Sequence, residues 1–144
     1  MILQALDDGA IAAVVLLFFS HIAPRFGAGN FILDVDEPHL FGKSITRREA
    51  HLVGALLHVL ISMAFAGLYA YGVKFGLISD FGILPILGWS VVMTIFIGGV
   101  ILPLEGHGIF GVKEDSWFPV DLLLTNVMWG ILFWWLVTLW PISF

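Results

Sequence analysis

The stretch Ala50–Val73, AHLVGALLHVLISMAFAGLYAYGV, contains no Asp, Glu, Lys or Arg. As a helix rising 1.5 Å per residue it is long enough to cross a hydrocarbon core of about 30 Å. Directly ahead of it stands Thr46-Arg47-Arg48-Glu49, the pattern of a capping box before an apolar run. Lipid requires a backbone bonded within its own segment, so the stretch is read as a helix.

Working outward, three further apolar stretches resemble it in length or composition. One covers Gly9–Ala23 and stops at Pro24; it is short for a full crossing and needs flanking residues or thinned lipid. Another covers Gly82–Leu102, with Pro85 in its first turn and Pro103 at its end. The last covers Pro119–Trp140 and again opens on proline. The fold expected is an all-α membrane protein, a single domain over residues 1–144 in which four transmembrane helices form a bundle. Loops 24–49 and 103–118 join them on one side. The alternating segments of about ten residues that a β-barrel needs are not seen.

Composition agrees. Of 144 residues 60% are hydrophobic and 12% charged, and mean hydropathy is +1.02, whereas a soluble domain is roughly 45–50% apolar and about 25% charged. With no cysteine, thiol chemistry and disulfides are excluded. A net charge of −5 without a basic run argues against nucleic acid as a partner. The N-terminal MILQALDDGA has no basic n-region and is read as uncleaved.

Basic residues set the expected orientation. Arg25, Lys43, Arg47 and Arg48 lie in the first long loop and Lys113 in the second, against Lys74 on the other side. By the positive-inside rule both loops are cytoplasmic and both termini lie on the non-cytoplasmic side of a prokaryotic-type inner membrane. Trp117 would anchor the inner boundary, Trp89 and Trp140 the outer.

Small residues mark where membrane helices meet. The second span carries Ala50, Gly54, His58, Ser62, Ala66 and Ala70 at four-residue intervals; the first offers Gly9 and Ala13, the third Ser90, Thr94 and Gly98, the fourth Asn126 and Gly130. Phe133-Trp134-Trp135-Leu136 form a bulky band suited to lipid or a partner subunit. The two loops also share a pattern. Glu37-Pro-His39-Leu-Phe41-Gly42-Lys43 parallels Glu105-Gly-His107-Gly-Ile-Phe110-Gly111-Val-Lys113. Two repeated helix hairpins are one reading of it, and chance is the other.

His58 is the ionisable residue well inside a span, with Asn126 at similar depth. Intramembrane ionisable groups are functional candidates; the structural alternative is that His58 bonds Asn126, Ser62 or a carbonyl and locks the bundle. His51 shares the face of His58 but is about 10 Å away along the axis, so the two cannot ligate one haem iron. A tetrapyrrole with one axial histidine remains open, Gly54 clearing room beside His58. His21, Glu37, His39, Glu49, His51, Glu105 and His107 gather at the loop face. Imidazole and carboxylate suit Zn, Fe or Mn, with Glu105 and His107 first choice because Gly106 between them permits sharp reversal; solvated loop residues are the competing account. None of the serines has a nucleophile-elbow context and no phosphate loop is present, which favours a non-enzymatic protein.

The chain resembles the YagU-like family of small inner-membrane proteins over roughly residues 58–137. The likeness rests on His58-Val-Leu-Ile-Ser62-Met-Ala-Phe65-Ala66-Gly-Leu-Tyr69, Pro103-Leu-Glu105-Gly106, Trp117-Phe-Pro and Trp129 to Trp135. The resemblance implies a four-helix inner-membrane protein and an association with acid tolerance, without a mechanism. Where that family carries a histidine in its last span this chain has Asn126, which removes one half of a paired-histidine site. The expected role is an accessory or structural subunit packed within a larger membrane complex or against itself. The alternatives are a small proton- or metal-ion transporter using His58 and the loop cluster, and a haem- or chlorin-binding subunit.

Overall fold

The computed structural model describes residues 1–22, 39–40, 43–44, 47–113 and 116–142, with side chains described outside 20–22, 39–40, 43–44, 47–51 and 105. Helix α1 covers Ile2–Ile22, α2 Arg47–Lys74, α3 Ile83–Phe96, α4 Leu102–Glu105 and α5 Phe118–Leu139. Between α1 and α2, the two-residue strands β1 (His39–Leu40) and β2 (Lys43–Ser44) pair antiparallel, His39 opposite Ser44 and Leu40 opposite Lys43. Four segments are long and apolar enough to cross a membrane: Ile2–Phe19, Leu52–Lys74, Ile83–Leu104 and Phe118–Leu139. They make this an integral membrane protein of four packed helices.

The first span begins well before Gly9. Starting it at Ile2 supplies the length that Gly9–Ala23 lacked, and it carries Asp7 and Asp8 inside the helix. The third span also departs from expectation, because it does not stop at Pro103. A π-helical turn over Ile97–Ile101 joins α3 to α4 with αR backbone at both junctions, and Leu102 N–H reaches back to Ile97 O. Proline has no N–H to give and its ring crowds the preceding turn; the wider π turn absorbs both defects without ending the rod. The rod stops at Gly106 (φ 95°), where Gly106 N–H bonds Pro103 O and His107 N–H bonds Leu102 O. That is a Schellman cap, which needs a left-handed residue after the last helical turn.

Around the bundle, α2 packs on α1, α1 on α5 and α5 on α3. Two of these seams are close. A Cβ built on Gly9 would sit 2.5 Å from Ala66 Cβ and 3.0 Å from Ser62 O, and one on Gly130 would collide with Ser90 Oγ. Dispersion and interhelical hydrogen bonds, rather than escape from water, drive such contacts in lipid. The remaining side, α2 facing α3, is wide and filled by aromatic rings. Phe65 meets Trp89 at 5.9 Å and Phe96 at 5.6 Å; Tyr69 meets Trp89 at 5.8 Å and Phe133 at 6.1 Å.

The core corrects three readings of the sequence. Phe133 and Leu136 are buried, while Trp135 of the same band is exposed, since neighbours on a helix point about 100° apart. Trp89 is no boundary anchor: it lies partly buried against the core and its indole N–H donates to Phe65 O at 3.1 Å. Gly54 is exposed with nothing within 4 Å among the described residues, so the small-residue ridge of α2 is not packed at that position. Trp117 and Trp140 are exposed at opposite ends of α5, as boundary anchors would be.

Candidate functional site

The interior polar residues come from all four spans. On α3, Ser90 Oγ donates to Ile86 O (3.2 Å) and Thr94 Oγ1 to Ser90 O (2.8 Å), so both hydroxyls are satisfied by the preceding turn. On α5, Asn126 Nδ2 donates to Thr94 Oγ1 at 3.0 Å, a buried bond between spans. Asn126 is therefore bonded to α3 rather than to His58.

On α2, His58 and Ser62 stand one turn apart on one face. Ser62 is fully buried, and neither its Oγ nor His58 Nε2 has a partner among the described residues. A lock made through His58 Nε2 is not formed among the described residues. Ala66, one turn further on, meets Gly9 of α1.

A residue that sequence reasoning missed completes the set. Asp8 of α1 is 4% exposed and its Oδ2 has no partner among the described residues. The missed signal was length: Gly9–Ala23 could not cross a bilayer, and the only apolar extension, Ile2–Leu6, passes through the acidic pair. Trp129 was also passed over as a polar contact. Its indole N–H donates to Gly9 O at 3.3 Å while its ring stacks on Phe133 at 5.2 Å, so α5 is tied to α1 beside Asp8.

Of the predicted packing residues, Ala66, Gly98 and Gly130 make close contacts: Ala66 with Gly9, Gly130 with Ser90, and Gly98 with the Phe110 ring. Phe110 holds that position with φ 54°, a left-handed conformation costly for a side-chain-bearing residue. Gly54 makes none among the described residues, and it stands one turn before His58 on α2.

At the loop face, Gly106 provides the reversal expected between Glu105 and His107. Lys113 Nζ lies 3.4 Å from Gly106 O, near the C-terminal end of the third span, where the helix dipole favours a cation. His107 is partly buried; Glu37, His39, His51 and Glu105 have side chains outside the described residues, as have His21 and Glu49. Among the described residues no three His, Asp or Glu side chains converge as a metal site would require.

Chemically, the interior offers a carboxyl, a hydroxyl and an imidazole with unused hydrogen-bonding capacity. Such groups exchange protons and bind water, and none is arranged as a nucleophile with a base and orienting third group. Comparison with known protein families, with curated proteins and with solved structures finds no match to this chain.

Proposed function

We propose that this is a non-enzymatic accessory subunit, packing its spans against those of a larger complex in a prokaryotic-type cytoplasmic membrane with loops 24–49 and 103–118 inside. One observation carries the reading. Gly88 and Gly99 both lie exposed on the third span, and among the described residues nothing comes within 4 Å of a Cβ built on either. They are about three turns apart and share a face with the exposed Leu84, Val91 and Ile95. A helical glycine costs about 1 kcal/mol relative to alanine, and facing lipid it gains nothing in return. Facing a partner helix it allows the close backbone approach on which membrane association depends. The resemblance of residues 58–137 to the YagU-like family agrees with a membrane role and adds no mechanism.

The test is Gly88→Ile, which fills open space and leaves the fold of the isolated chain intact. In mild detergent the native chain co-purifies with a partner chain or a second copy, and the variant loses it. A native chain that emerges as a lone monomer, with chemical crosslinking in the membrane also finding no neighbour, refutes the reading.

A further inference from the structure

The buried polar atoms of the bundle divide into two groups. Those of Ser90, Thr94, Asn126 and Trp129 are bonded within the protein. Asp8 Oδ2, Ser62 Oγ and His58 Nε2 are not. In a bundle surrounded by lipid an unbonded buried polar atom costs several kcal/mol, and native structures answer that demand with ordered water or a ligand.

The three atoms belong to residues along one seam. His58 and Ser62 follow one another up the same face of α2, and Asp8 precedes Gly9, whose Cα abuts the Ser62 carbonyl. The other buried positions of α1 are Ala5, Gly9, Ala12, Ala13 and Leu16, which offer no side-chain donor or acceptor. Since α1 and α2 run antiparallel with Gly9 set between Ser62 and Ala66, Asp8 and His58 are separated by about 10 Å along the axis. That spread is too great for one metal ion, whose ligands must all lie within about 2.0–2.6 Å of it. It suits a short file of waters. Gln4, one turn from Asp8 on the same side of α1, reaches Trp140 O at the exposed end of the bundle. His58 sits about 9 Å from the Leu52 end of its span. The strip therefore occupies the middle of the membrane with about two turns of helix beyond it on either side.

We propose that Asp8, Ser62 and His58 hold a file of water molecules inside the bundle and relay protons along it. Each transfer is a hop. An imidazole of His58 that accepts a proton at one ring nitrogen releases the one held on the other, which passes through water to the Ser62 hydroxyl; the hydroxyl accepts it and releases its own. The Asp8 carboxylate takes up that proton and then releases it at the far end of the file, or the sequence runs in reverse, and nothing is oxidised or reduced. Other described titratable groups stand apart from the strip. The Tyr69 hydroxyl is committed to Asp80 O at 2.6 Å, and α5 presents Trp129 and Phe133 on this side; the exception is Asp7, exposed and about 100° round the helix from Asp8 but close enough for its charge to act on that carboxyl.

The full chain is reconstituted into liposomes enclosing a pH-sensitive dye, and a potassium diffusion potential is imposed with valinomycin. Vesicles with the native chain acidify at least tenfold faster than empty ones, and Asp8→Asn and Ser62→Ala each remove most of that rate. Thr138→Val, whose hydroxyl bonds only its own helix on the exposed side of α5, leaves it unchanged. Ser62→Ala also separates function from folding. A hydroxyl with no partner at all can be deleted with a gain in stability, whereas one bonded to water in the file cannot. Native vesicles no faster than empty ones, a native rate that survives both substitutions, or a Ser62→Ala chain more stable than native would each overturn the proposal.

Discussion

Gly9→Ala is the sharpest probe of how the bundle is assembled. The added methyl would lie 2.5 Å from Ala66 Cβ and 3.0 Å from Ser62 O, whereas non-bonded carbons rest about 3.5–4.0 Å apart. Neither neighbour is the free end of a flexible side chain, so α1 and α2 must separate by about 1 Å or more. Overpacking of this kind costs about 1–3 kcal/mol. The same shift stretches the 3.3 Å bond from Trp129 to Gly9 O, worth about 0.5–1.5 kcal/mol. Against these stands a gain of about 1 kcal/mol from replacing a helical glycine by alanine. The expected net result is a loss of about 0.5–3.5 kcal/mol. Gly88→Ala, with nothing within 4 Å, keeps the helix gain without the clash and is expected to stabilise the isolated chain by about 1 kcal/mol. Reversible unfolding in mixed micelles, followed by the fluorescence of the six tryptophans, reads both. Adding Ala66→Gly to Gly9→Ala removes the nearer contact and should restore at least half the loss, a coupling that marks the two residues as neighbours. A Gly9→Ala chain as stable as the native one would refute this account of the α1–α2 seam.

Two further perturbations test the other seams. Tyr69→Phe deletes the bond to Asp80 O while keeping the ring among Phe81, Trp89 and Phe133; unfolding should show a loss of about 1 kcal/mol. Asn126→Ala removes the α5–α3 bond to Thr94 and should cost about 0.6 kcal/mol or somewhat more. Thr94 stays satisfied through Ser90 O, so a loss of several kcal/mol would mean that Asn126 serves more than this bond.

How legible this protein was depended on the range of the interaction. Spans two and four were plain in the sequence, because an uncharged run of sufficient length has few fates in lipid. The first span starts seven residues before Gly9, because Asp7 and Asp8, which in a sequence mark an end, lie inside the helix with Asp8 buried. Pro103 looks like a stop for a similar reason: its local breaking tendency shows in the sequence and the π turn that accommodates it does not. Of the residues whose smallness and spacing suit packing, Ala66 lies against Gly9, and Gly98 and Gly130 lie against Phe110 and Ser90. Gly54 obeys the same spacing and packs against nothing described, since a small residue permits close approach but cannot say on which face it occurs.

The sequence by itself determined that this chain lives in lipid, how many times it crosses, and which residue types can sit between helices. Those properties follow from composition and run length, which act on each segment separately. Tertiary structure decided the partners. It bonded Asn126 to Thr94 instead of His58 Nε2, turned Phe133 and Trp129 inward, closed Gly9 on Ala66, and left Asp8 Oδ2, Ser62 Oγ and His58 Nε2 without partners among the described residues. The physical reason is that lipid does not sort one apolar face from another. Which face turns inward is settled only when all the helices pack together and their few polar atoms compete for the same bonds.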